Sequence, residues 1–321
     1  MRRTHYAVLG LFAAALALLA FAPSHSSTTA VEPSHHKVVF VQGISSQATC
    51  GTGMVDLTTP MRDFLLTTPW VQAAVPLQPD DFRYFSYDPG PTFADRYCNG
   101  DPVQPDYTAK DTCWSIDDVY TGPAGGQKTT TGAVHRLNQL IATLVSQDPL
   151  VKIDLVAHSQ GGVVAAYWLQ TLGNPANVNS LVTFDSPLGG LPALWSAVGM
   201  FNCATNGVNL QTERWYDSPR DMRDGSPTNL AVQGAPASAA VFTLRTSDPD
   251  IIIPDQAATF DGGACDSSAD LVPSACAAPA GTFVDFYAPL GNHTTLWRSP
   301  IPQALDLLGC AVTADLTPCF P

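Results

Sequence analysis

Residues 152–169, KIDLVAHSQGGVVAAYWL, constrain the fold of this 321-residue chain more than any other stretch. Residues 153–156 form a short apolar, β-branched run that reads as a buried strand. Val163, Val164, Tyr167, Trp168 and Leu172 then recur at helical spacing. Strand passes into helix through Ala157, His158, Ser159, Gln160 and Gly161, so the backbone must bend sharply at Ser159. Side-chain bulk two residues before or after would strike the neighbouring strand and helix, and the chain has Ala157 and Gly161 at those places. Such a bend thrusts a hydroxyl out at the end of the strand. The free N–H groups and positive dipole end of the following helix face it. The plain alternative is a serine that caps a helix.

The surrounding sequence supplies a sheet for that bend. Further apolar runs at 38–41, 82–87, 181–184, 241–244 and 283–287 read as strands. Between them Val134, Leu137, Leu140, Ile141, Leu144 and Val145 recur at helical spacing. Strands alternating with helices imply a mostly parallel sheet with helices on both faces, whose functional groups gather outside the carboxyl ends of the strands. Two stretches interrupt the alternation, at about 88–131 and 190–240. The expectation is one domain over 37–321 with these two insertions.

The amino-terminal residues read as targeting sequence. Arg2 and Arg3 precede an apolar run, and Ala20, Phe21 and Ala22 have the small-x-small pattern of a cleavage site, so 1–22 is expected to be a secretory signal peptide. Residues 23–36, rich in Ser, Thr, Pro and His, read as a flexible leader. Export fits the eight cysteines, whose number is even and which contain no CxxC pair. Loop length suggests the pairs Cys98–Cys113, Cys265–Cys276 and Cys310–Cys319, leaving Cys50–Cys203. The formal charge of −13 and the absence of any Lys/Arg cluster disfavour a nucleic-acid partner. A neutral or apolar substrate is easier to accommodate.

With its A-H-S-Q-G turn, the sequence resembles the α/β-hydrolase superfamily, and more narrowly secreted bacterial lipases and esterases. The likeness spans roughly residues 37–308. It is strongest at 38–45 and 153–172, and poor in the two insertions. The resemblance implies an α/β-hydrolase fold, with a mostly parallel sheet, helices on both faces and lid or loop insertions. It also implies a nucleophile, an acid and a histidine in that chain order.

A serine needs a base to remove its proton, and His293 is the one histidine after Ser159. His158 adjoins the serine, but its side chain should leave the turn in another direction, and it is read as structural. The acid that orients the imidazole is expected to be Asp250, whose spacing to Pro254 fits the D-x-[IV]-[VI]-P pattern of the superfamily. Asp248 and Asp185 are the alternatives. The oxyanion requires two backbone donors. These are expected to be the amide of Gln160 and that of Ile44, in the loop Gln42-Gly43-Ile44 where related lipases commonly carry His-Gly.

Leu191, Leu194, Trp195 and Val198 fall on one helical face, with Met200 and Phe201 close behind. Such a helix can line an acyl pocket, act as a lid or simply face the core. The expected substrate is a small-molecule or lipid carboxylic ester, with transient contact to a lipid interface and with no cofactor or metal. Asp217, Asp221 and Asp224 read as solvated turns.

Overall fold

The strands form where the chain is apolar and β-branched over a short run. β1 (His36–Val41) has Val38, Val39, Phe40 and Val41 all fully buried, the signature of a strand covered on both faces. β2 (Phe82–Tyr84), β3 (Val119–Thr121), β4 (Lys128–Thr130), β5 (Lys152–His158), β6 (Val178–Phe184), β7 (Ala240–Thr246), β8 (Ser274–Ala278) and β9 (Gly281–Ala288) follow. In this computed structural model the structure describes residues 35–46, 54–87, 107–117, 119–121, 128–130, 132–209, 211, 216–233, 240–246, 274–278, 281–288, 293, 295–300 and 302–319. All of them lie in one compact unit, Ser34–Pro321.

Seven of these strands make one sheet in the order β2-β1-β5-β6-β7-β9-β8. Every neighbouring pair is parallel except β8 with β9, which runs antiparallel. β3 and β4 form a separate two-stranded antiparallel ribbon. The six strand expectations correspond to β1, β2, β5, β6, β7 and β9, with β2 shorter than its apolar run. The Gln160–Thr171 helix packs on β1, β5 and β6 and against the Ala133–Gln147 helix. The Pro302–Thr313 helix packs on β6 and β7 with the Met54–Thr67 and Pro69–Ala74 helices. These are the two helical layers that close the sheet.

Register decides where the chemistry sits. Val41 pairs with Ala157, and His158 pairs with Phe184, so β1, β5 and β6 end side by side at their carboxyl edge. The next residue on β5 is Ser159 and the next on β6 is Asp185. The loop leaving β1 begins with Gln42 and Gly43.

The 190–240 insertion differs from the sequence reading. Leu191 is buried, but it lies outside the helix, in an isolated bridge with Arg223. The Ala193–Thr205 helix turns Leu194, Val198 and Phe201 outward at 70, 49 and 71% exposure and buries Ser196 and Cys203. Of the three directions left open by the sequence, the stripe is mostly an open face, with Trp195 alone packed on the core. The cysteine pairing is also corrected. Cys113 joins Cys203, 90 residues away with Cα atoms 5.8 Å apart, where loop length had suggested Cys98–Cys113 and Cys50–Cys203. The short-loop argument fails because the Asp111–Cys113 turn is buried against the Ala193–Thr205 helix, which brings distant cysteines within bonding reach. Cys310 is also disulfide-bonded.

Candidate active site

The bend at Ser159 has the backbone angles φ 55° and ψ −130°. A non-glycine residue with positive φ is uncommon and costs of order 1–3 kcal/mol, so the surroundings must enforce it. They do so on three sides. The Ser159 amide donates to the Phe184 carbonyl at 3.0 Å, holding the turn to β6. Its carbonyl accepts from the Gly162 amide at 3.0 Å, starting the helix. Gly161 passes so close to β1 that a Cβ there would lie 2.2 Å from the Val41 carbonyl oxygen. The glycine of the turn is thus demanded by backbone approach, whereas Ala157 is buried without conflict.

Ser159 Oγ stands 3.0 Å from His293 Nε2, and His293 Nδ1 stands 3.0 Å from Asp185 Oδ2. The three residues are 3, 8 and 1% exposed for Ser159, His293 and Asp185. A carboxylate can only accept, so Nδ1 carries the ring proton and Nε2 is left to accept from the serine hydroxyl. This is the arrangement that activates an alcohol as a nucleophile. Asp185 also has positive φ, 49°, and its amide donates to the Leu244 carbonyl at 2.6 Å, so β7 fixes the carboxylate's approach.

Ser159 and His293 are therefore brought together as the chain order requires. Asp250, expected as the acid, and its neighbour Asp248 lie outside the described residues. Asp185, the third alternative, occupies the position against His293. Its signal in the sequence was positional: it follows the parallel strand next to the one that ends in the serine, so the two residues emerge side by side.

The Gly43 loop closes over the serine. A Cβ on Gly43 would fall 2.5 Å from Ser159 Cβ and 2.9 Å from its Oγ, so only glycine permits this approach. Among the described residues, neither the Ile44 nor the Gln160 amide has a protein acceptor, and Gln160 opens the helix. Both amides remain available as donors. Gln42, which precedes Gly43, is buried. Its carbonyl accepts from the Tyr87 hydroxyl at 2.5 Å, and its Oε1 accepts from that of Tyr107 at 3.4 Å. The loop is thus anchored through two tyrosines. Burial holds the hydroxyls of both well above the usual phenol range, so both stay protonated donors.

Two residues that sequence reasoning missed, Thr112 and Ser218, brace this edge. Thr112 Oγ1 accepts from the Ser45 amide at 2.8 Å, and the Thr112 carbonyl accepts from Gln160 Nε2 at 2.6 Å. Gln160 Oε1 in turn accepts from the Ser218 hydroxyl at 3.1 Å. One buried threonine therefore links the Gly43 loop to the residue after Ser159, and its neighbour Cys113 is tied to the Ala193–Thr205 helix through Cys203. Nothing in local sequence marks these contacts, because they arise where two insertions meet.

His158 lies beneath His293. Its Nε2 is 2.7 Å from the His293 carbonyl oxygen, which can only accept, so Nε2 carries the proton. The two rings are 4.6 Å apart, and Trp297 stacks on His158 at 5.3 Å with 23° between planes. Burial first, and the neighbouring His293 second, push His158 down to about 3. Elsewhere, a cavity of about 860 Å³ lies between the Ala193–Thr205 helix and residues 220–226, with Met200 and Phe201 on its apolar wall and Arg220 and Arg223 opposite. None of the three site residues lines it.

No family model matches the sequence, and no curated protein matches it. Solved structures do. Phospholipase PlaB from Legionella pneumophila matches at 15% identity and a TM-score of 0.38 over 67% of this chain, and the chain spans 38% of that protein's length. An extracellular alpha/beta-hydrolase from a Paenibacillus species matches at 14% identity and a TM-score of 0.41 over 86% of this chain and 98% of that one. The monoacylglycerol lipase of Paleococcus ferrophilus matches at 12% identity and a TM-score of 0.42 over 87% and 96%. By its mostly parallel sheet, and by the strand–turn–helix that carries Ser159, this chain has the α/β-hydrolase fold.

Proposed function

We propose that the protein is a secreted serine hydrolase that cleaves carboxylic esters. The observation that carries this reading is the hydrogen-bonded series Ser159 Oγ, His293 Nε2, His293 Nδ1, Asp185 Oδ2, with 3.0 Å at each step between residues. In the reaction His293 takes the Ser159 proton as the oxygen attacks the ester carbonyl. The amides of Ile44 and Gln160 hold the oxyanion of the tetrahedral intermediate. Collapse expels the alcohol, which leaves with the proton from His293, and an acyl-Ser159 ester remains. Water, deprotonated by His293, attacks that ester and releases the carboxylic acid and the free serine. Asp185 stays ionised throughout, holds the Nδ1–H tautomer and offsets the imidazolium charge.

The apolar face of the Ala193–Thr205 helix and the scarcity of basic side chains favour a neutral substrate with an aliphatic acyl chain, met in solution or at a lipid surface. The Cys113–Cys203 bridge fits an oxidising compartment, in line with the signal-like residues 1–22. The test is hydrolysis of p-nitrophenyl esters across acyl lengths by wild type and Ser159→Ala, with fluorophosphonate labelling of both. Turnover and labelling that vanish together in the variant support the reading. A wild-type protein that neither labels nor turns over esters would instead be a binding protein on this scaffold. Cleavage of anilides in preference to esters would move the reading to an amidase.

A further inference from the structure

We propose that His158 is a positioning residue for the reaction, acting through the backbone of His293; this rests on the hydrolase reading above. His293, a turn residue between β9 and the Thr295–Arg298 helix, must meet Asp185 and Ser159 at once from opposite ring nitrogens. Those two contacts fix the ring. They do not fix the depth at which the backbone of residue 293 rides over the sheet edge.

The Nε2–H of His158 does, by donating to the His293 carbonyl at 2.7 Å. His158 is the last residue of β5 and immediately precedes the nucleophile, so serine and base are referenced to the same strand end. Beneath it Trp297, two positions along the Thr295–Arg298 helix from the loop's end, closes the clip. Its ring stacks on His158 and packs edge-on to Phe40 and Phe184 of the core. His293 and the helix that follows it therefore both hold His158.

The protonation state suits this role. A neutral ring donates one proton from Nε2 in a fixed tautomer. An imidazolium at this place, 4.6 Å from the His293 ring, would oppose the positive charge that His293 must gain as it takes the serine proton. Burial holds His158 down to about 3, so its ring is neutral at neutral pH. The position thus calls for an uncharged N–H donor at the reach of Nε2.

The test compares three variants in the full chain. His158→Gln keeps an amide donor at about that reach, His158→Phe keeps the stacked ring without a donor, and His158→Asn keeps an amide too short to reach the carbonyl. Each is assayed for kcat and KM on a soluble short-chain ester and for melting temperature, beside Ser159→Ala. The expected result is a kcat loss of about tenfold or more in His158→Phe and His158→Asn with KM changed less than about twofold, and recovery of most of kcat in His158→Gln. If His158→Phe does not fold, His158→Gln against His158→Asn makes the same comparison. Wild-type kcat in His158→Phe or His158→Asn, or equal loss in His158→Gln and His158→Asn, overturns the positioning role while inactivity of Ser159→Ala leaves the hydrolase reading standing. Turnover retained by Ser159→Ala overturns the hydrolase reading itself.

Discussion

Gly43 and Ser159 are in contact so close that the glycine has no room for a β-carbon: built there, it would sit 2.5 Å from the serine Cβ. The contact joins the loop that follows β1, which carries Ile44, to the turn that follows β5, which carries Gln160. Gly43→Ala must displace one of the two turns. Since a misplacement of about 1 Å can cost about a hundredfold in rate, the variant is expected to lose roughly that much kcat while remaining folded. Measured kcat and melting temperature check it; unchanged turnover would show that the loop does not shape the site.

Asp185 accepts from His293 Nδ1 at 3.0 Å and is almost wholly buried. An amide in its place keeps the size and loses the charge, and it can present an N–H toward Nδ1, which selects the wrong tautomer. Asp185→Asn is therefore expected to lower kcat by about 10³–10⁴-fold, with Asp250→Asn near wild type. The reverse ranking of the two variants would return the orienting role to Asp250.

The meeting of Ser159 and His293 was legible in the sequence for a physical reason. A strand that bends into a helix needs small neighbours, which leave a local pattern around Ser159, and His293 is the one histidine after it. The acid was not fixed in that way. Asp185, Asp248 and Asp250 all follow runs that read as strands, and only the lateral register of β5 with β6, a non-local property, sets Asp185 beside Ser159. The same holds for the sheet and its insertions. Buried parallel strands announce themselves as apolar runs, but Thr112 and Cys113 reach the site through contacts with Ser45, Gln160 and Cys203, far away in sequence. Periodicity found the Ala193–Thr205 helix and left its direction open, because an apolar stripe reads alike whether it faces a core or solvent; the structure turns Leu194, Val198 and Phe201 outward and packs Trp195 on the core.

The Cys113–Cys203 bridge should matter to both stability and turnover. It closes a span of 90 residues, for which chain entropy gives roughly 4–5 kcal/mol. It also holds Thr112 where its side chain accepts from the Ser45 amide. The double replacement by serine is expected to lower the denaturation midpoint strongly. Thr112→Val, with the bridge intact, is expected to cost several-fold in kcat with a smaller loss of stability. Urea unfolding and ester kinetics on the two proteins check this. Equal unfolding midpoints for wild type and the double variant would mean that the bridge does not stabilise the fold.

Two ionisable groups give stability opposite slopes with pH. Burial is the larger influence on Asp221 and raises it to about 7, although Ser115 Oγ and the Ile116 amide both donate to it at 2.7 Å. Its folded value exceeds its unfolded one of about 4, so the native state binds the extra proton between those values. Its contribution is fully present below about pH 4 and is lost as pH rises through about 7. His158 is the opposite case. Held near 3 against an ordinary value of 6.5, it contributes fully above about pH 6.5, and that contribution is lost as pH falls toward 3. Between about pH 4 and 6.5 the two slopes offset each other, which flattens the acid side of the stability curve. Asp221→Asn removes only the first slope. The variant is therefore expected to be most destabilised relative to wild type near pH 4, to approach it by pH 8, and to lose melting temperature more steeply on acidification. Melting curves from pH 4 to 8 on both proteins check this; a difference in melting temperature that stays constant across the range would place the Asp221 carboxyl in ordinary solvent.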